Sequence, residues 1–83
     1  MEETLHLLGQ RLKQLRKDKK LKQHDVALLL GCTDSNYQKM EYGEINVACL
    51  TLIKLADYYD VSLDYLVGRS EERHPITHKK GPF

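Results

Sequence analysis

QHDVALLLGCTDSNYQKMEYG, residues 23–43, is the stretch on which the fold turns. Val26, Ala27, Leu29 and Leu30 recur at helical spacing, and Gly31 then interrupts the pattern where a left-handed backbone would strain any residue bearing a side chain. Thr33 follows as an N-cap, Tyr37 and Met40 fall on one helical face, and Gly43 supplies a second C-cap. The spacing predicts helix, tight turn, helix. Ala27 is small where two such helices would cross most closely, and Cys32 is a compact residue just past the turn, so a steep crossing can be packed. Spacing alone fits any small helical hairpin equally well.

Outside the hairpin, Leu5, Leu8, Leu12 and Leu15 form one apolar stripe and predict a first helix over residues 4–19. A fourth helix is expected over residues 48–59, started with help from Asn46, with Leu52, Ile53, Leu55, Ala56 and Tyr59 on and around its buried face. Ser62 is an apt N-cap for a short fifth helix that turns Leu63 and Leu66 inward and sets Asp64 in its first turn. Gly68 ends the expected domain, residues 1–69. The remainder, 70–83, lacks apolar periodicity, contains Pro75 and Pro82, and is expected to be a flexible polar tail.

A helical wheel brings Arg16 near the leucine stripe and Glu41 near the Tyr37 and Met40 face, so two opposite charges point toward one core. An ion pair between them is the economical solution. With Tyr37 turned inward, Ser35, Lys39 and Tyr42 turn outward, Asn36 and Gln38 flank them, and Asp34 sits in the exposed first turn.

These residues resemble the phage repressor and Cro type of helix-turn-helix, also called the XRE family. The resemblance rests on Gln23, Ala27, Gly31, Met40-Glu41 and Gly43, then Asn46, Leu52, Lys54, Leu55, Ala56 and Val61-Ser62-Leu63-Asp64-Tyr65-Leu66, and it covers about residues 6–69. It implies an all-α, five-helix lambda-repressor-like DNA-binding domain whose helices 2 and 3 form the helix-turn-helix. Members use an ion pair at the positions of Arg16 and Glu41. By family position Thr33, Asp34, Ser35 and Lys39 reach bases or adjoining phosphates, with Asn36 and Gln38 next. Gln23 is expected to meet a backbone phosphate at its helix N-terminus and to brace Asp34. The chain departs from the family at Lys22, where Thr or Ser is usual, at Asp34, where a basic or amide residue is common, and at Val47, where Pro is frequent. An ionised Asp34 only accepts hydrogen bonds, so toward bases it favours a cytosine amino group. Its plain alternative is a first-turn carboxylate that stabilises its own helix.

Composition agrees with one modest core: 83 residues, 41% hydrophobic, net charge +1. Residues 1–20 hold six basic and three acidic side chains, whereas residues 21–45 hold two and four. The cluster Lys13, Arg16, Lys17, Lys19, Lys20 and Lys22 therefore ends just before the hairpin, where it can face a phosphate strand or simply be solvated. No membrane-length apolar run and no export leader occur, which predicts a cytoplasmic chain with no membrane partner. Cys32 and Cys49 are expected to be reduced, buried packing residues. His74 and His78 are four apart, but Pro75 argues against a helix presenting them, and neither a metal nor any other cofactor is expected.

Enzyme chemistry is excluded by the lack of a nucleophile elbow, a phosphate-binding glycine loop or paired carboxylates. Two binding classes remain. The first is a transcriptional regulator, a repressor that binds an inverted-repeat operator in double-stranded DNA as a homodimer. Tyr58, Tyr59, Tyr65 and Val67 are its candidate subunit contacts, and with no sensory domain attached a protein antagonist is among the expected release routes. The second is a protein-interaction module, antitoxin-like or an anti-repressor partner, favoured by Asp34, Glu44 and the low net charge. Against it, Ser35, Gln38 and Lys39 are polar and non-bulky where a protein partner would want an apolar anchor, Tyr42 excepted.

Overall fold

The leucine stripe at the N-terminal end becomes the spine of the core. In the computed structural model, which describes residues 2–73, five helices follow in order: α1 (Glu2–Asp18), α2 (Gln23–Leu30), α3 (Asp34–Tyr42), α4 (Cys49–Tyr59) and α5 (Leu63–Leu66). No strand occurs among the described residues, so the architecture is all-α, with α2 and α3 as the helix-turn-helix. Leu8, Leu12 and Leu15 of α1 are buried against Val26 and Ala27 of α2, Tyr37 and Met40 of α3, Leu55, Ala56 and Tyr59 of α4, and Tyr65 and Leu66 of α5. Among the described residues no helix is long and apolar enough to cross a membrane.

Local chemistry sets each boundary. Gly31 and Gly43 close α2 and α3 in the left-handed conformation, at φ 73° and 74°, and donate their N–H groups to carbonyls of the preceding turn. Thr33 Oγ1 accepts from Asn36 N at 3.0 Å, and Ser62 Oγ accepts from Tyr65 N at 2.9 Å, so both expected N-caps form. Lys22, which lacks the hydroxyl of a usual cap, is compensated by Asp25: its carboxylate accepts from Lys22 N at 2.9 Å. The start of α4 differs from expectation, because Ala48 and not Asn46 holds the N-cap position and no side chain caps it.

Close backbone approach fixes the placement of α1. A Cβ at Gly9 would lie 2.3 Å from the carbonyl oxygen of Glu41, so only glycine lets α1 rest on the C-terminal turn of α3.

The packing corrects several of the expected side-chain placements. Leu63, expected to turn inward, is 40% exposed, and Ile53, expected on or around the buried face of α4, is 39% exposed at its edge. Apolar residues cover a wider arc of α4 than the core can bury, and the short α5 needs Tyr65 and Leu66 for contact. Cys49 is exposed at the head of α4, while Cys32 is half-buried against the core; both thiols are free. Tyr59 and Tyr65, offered as subunit contacts, belong to the core.

Residues beyond Gly68 continue against the domain as far as Arg73. Arg11 donates to the carbonyls of Tyr65 and Ser70, its guanidinium lies 4.1 Å from the centre of the Tyr65 ring, and Ser62 N donates to Arg73 O at 2.7 Å. Arg73 also pairs with Asp18 at 3.0 Å. Gln14, first, and Arg73 donate to the Asp18 carboxylate and hold it below the usual carboxylate range. The rest of the expected tail, with His74 and His78, lies outside the described residues.

Candidate nucleic-acid interface

Tyr37, Met40 and Glu41 turn one face of α3 into the core, which dictates what the opposite face offers. Asp34, Ser35, Asn36 and Lys39 are exposed on α3, Thr33 is exposed just ahead of it, and Gln38 is half-buried. Tyr42, 58% exposed, ends the same helix. The outward surface is thus hydroxyl, amide, carboxylate and ammonium, with one aromatic at its far end. The Thr33 hydroxyl oxygen is engaged as the cap of α3, which leaves its hydrogen free to donate outward.

Beneath this face lies a buried polar network. Arg16 Nε donates to Glu41 Oε2 at 2.7 Å and Arg16 Nη2 to Glu41 Oε1 at 3.2 Å, a two-pronged pair between α1 and α3. Arg16 Nη1 donates to Leu21 O at 2.9 Å, so the same guanidinium also fastens the turn between α1 and α2. Gln23 Nε2 donates to Glu41 Oε1 at 3.1 Å. One carboxylate therefore ties α1, α2 and α3 together, fixing α3 from behind.

Burial alone would push the Glu41 carboxyl upward. Donation from Arg16 and Gln23, with the Tyr37 hydroxyl close by, outweighs it and holds the carboxyl below its ordinary value. The hydrogen bond to Glu41 raises Arg16 above its already high value in spite of burial. The Tyr37 and Tyr59 hydroxyls are buried without hydrogen-bonding geometry to any partner. Burial pushes Tyr59 up to about 12 and raises Tyr37 further, with the Glu41 charge adding to both.

The site residues read from the sequence divide into three groups. Thr33, Asp34, Ser35, Asn36 and Lys39 share one accessible surface, and Gln38 borders it. Gln23 is partly buried, and its amide donates inward to Glu41 and not to Asp34. Arg16 is only 9% exposed, which removes it from the basic cluster as a free cation; Lys17, Lys19, Lys20 and Lys22 remain exposed around the entry to α2.

The brace on Asp34 comes from a residue that sequence reasoning passed over. His24 Nδ1 lies 2.8 Å from Asp34 Oδ1 and 3.0 Å from Oδ2. His24 follows Gln23 at the start of α2, and the tight hinge brings this turn to face Asp34 at the start of α3. Among the described residues no group of three or more His, Cys, Asp and Glu could hold a metal ion.

A helix-turn-helix family model matches residues 12–66, from the middle of α1 to the end of α5. The chain belongs to the helix-turn-helix family. Within it the resemblance is to the phage repressor and Cro type, and a solved member has the same fold: the restriction-modification controller protein C.AhdI from Aeromonas hydrophila. That protein is 37% identical, with a TM-score of 0.66 over 75% of this chain and 94% of its own. An uncharacterized HTH-type transcriptional regulator of Bacillus subtilis (strain 168), YqaE, is 41% identical over 68 residues, 81% of this chain and 59% of its own length. The HTH-type transcriptional regulator ImmR of the same organism is 36% identical over 64 residues, 77% of this chain and 50% of its own length. The chain thus spans between half and two thirds of the length of the Bacillus relatives it matches. The Bacillus relatives are named as HTH-type transcriptional regulators, and what this chain shares with them is the helix-turn-helix region.

Proposed function

We propose that this helix-turn-helix protein binds double-stranded DNA sequence-specifically, as a homodimer on an inverted repeat, and represses transcription by occluding the promoter. The observation that carries the reading is the outward face of α3: Asp34, Ser35, Asn36 and Lys39 stand exposed on a helix braced from behind by the Arg16–Glu41 pair. A major groove about 12 Å wide admits one helix, and amide, hydroxyl and basic side chains read base edges there. Thr33 and Gln38 border that surface, Gln23 opens α2 close to its free N–H groups, and the exposed lysines 17, 19, 20 and 22 supply counter-charge to phosphate. The regulators and the controller protein of similar sequence support the same reading.

One helix reads few base pairs, so useful selectivity calls for two copies whose recognition helices sit one DNA turn apart, about 34–36 Å. An apolar patch favours such pairing. Leu50 is 79% exposed, Ile53 lies one turn further along α4 at 39%, and Leu63 of α5 is 40% exposed beside it across a shallow groove. Burying these three side chains against their symmetry mates would remove apolar surface from water on both subunits.

Gel shift against fragments of the neighbouring intergenic DNA, at two salt concentrations, tests the function. A regulator retards one fragment preferentially and weakens steeply as salt rises. Retardation of none, or of all alike, overturns sequence-specific binding and favours a protein-interaction module.

A further inference from the structure

We propose that His24 is a specificity-determining residue that acts through Asp34, the two forming one reading unit across the hinge of the helix-turn-helix. This rests on the DNA-binding function proposed above and names a residue outside the recognition helix that shapes its preference. His24 is the second residue of α2 and Asp34 the first of α3, so their contact at 2.8 and 3.0 Å joins the two helices on the solvent side. The side chains are 60% and 53% exposed, and a pair so open to water adds little to stability. Its consequence lies in what the carboxylate presents to a ligand.

An ionised carboxylate only accepts, so the shared hydrogen sits on Nδ1. Meeting both oxygens, that donor fixes the plane of the carboxylate and draws on its negative charge, while lone pairs on both oxygens stay available. Without the donor, Asp34 would sample several rotamers and carry its full charge toward the phosphates. With it, the carboxylate is a directed acceptor suited to a base-edge donor such as the cytosine amino group. No other ion-pairing partner reaches Asp34 among the described residues, and the neighbouring Gln23 amide is engaged with Glu41. His24 therefore holds that task alone.

Selection from a randomised duplex library tests the idea with the full chain, His24→Leu, Asp34→Asn, the double variant, and His24→Asn, which keeps a donor near the Nδ1 position. The parent enriches a motif, and His24→Leu loses about fivefold or more of the preference at one base pair, the scale of one base-reading contact. Asp34→Asn relaxes the same base pair, the double variant goes no further, and His24→Asn restores the preference. A merely structural His24 would weaken binding to all duplexes alike. Unchanged preferences in His24→Leu, a change at a different base pair from Asp34→Asn, additive losses, or no rescue by His24→Asn would each overturn the inference while the parent still selects its motif. A parent that enriches nothing overturns the DNA-reading function itself, and the inference with it.

Discussion

At the scale of single residues, the Arg16–Glu41 pair decides how firmly α3 is presented. The Glu41 side chain is 1% exposed and that of Arg16 11%, so truncating either strands a buried charge. Arg16→Ala is expected to lose about 3–5 kcal/mol of unfolding free energy in urea titration. The pH dependence has a definite sign. The folded state holds the Glu41 carboxyl below its unfolded value, so its contribution is complete above the ordinary carboxylate range and fades as pH falls through the folded value. Thermal melts should therefore drop as pH is lowered from 6 toward 3, by less in Glu41→Gln than in the parent. The Tyr59 hydroxyl, buried without a partner, behaves oppositely: Tyr59→Phe removes an unsatisfied group and should be neutral or stabilising by up to about 1 kcal/mol. The ion pair was legible in the sequence because two opposite charges lie near apolar helical faces that meet in one core, against the alternative of Arg16 snorkelling past the core edge. The His24 contact was not, since it depends on how tightly the hinge folds, and side-chain type at adjacent positions cannot tell Gln23 from His24 as the partner of Asp34.

At the scale of elements, the helix boundaries were written in glycines and caps, and the structure places them within a residue or two of the expected positions. Gly31, Thr33, Gly43 and Ser62 each mark a boundary by local geometry alone. Gly9 had no such signal. Inside a helix it looks like a mild defect, and its role appears only when α1 lies against the carbonyls of Met40 and Glu41. Two alanine substitutions separate these kinds of glycine. Gly31→Ala has a left-handed φ but no atom within 4 Å of the new methyl, so it should cost about 1 kcal/mol. Gly9→Ala must push α1 away from α3 and should cost about 1–3 kcal/mol or more, with DNA binding weakened in step. Equal losses in denaturant titrations would contradict this division. The outward turn of Ile53 and Leu63 was hidden for a related reason: periodicity reports an apolar arc, and the width of the core determines how much of that arc is covered.

At the scale of the whole molecule, the chain carries two unlike surfaces. The outward face of α3 is polar, with Asp34, Ser35, Asn36 and Lys39, while the α4 and α5 side exposes Leu50, Ile53 and Leu63. Net charge of +1 obscures this division, because the lysines that gather at the entry to α2 are offset by carboxylates elsewhere. On the proposed homodimer, Leu50→Glu, at a residue 79% exposed within one subunit, should shift sedimentation at micromolar concentration toward monomer while the fold of the single subunit is little disturbed. A dimer unaffected by the added charge would contradict a subunit contact at Leu50. The central claim, that the outward face of α3 is what meets a duplex, is tested most directly by NMR titration of the protein with a DNA fragment that it retards. Amide shifts concentrated at residues 33–39 and at the start of α2 are the predicted result; a duplex that leaves those amides unmoved, or perturbs only the face of Leu50, Ile53 and Leu63, would contradict it.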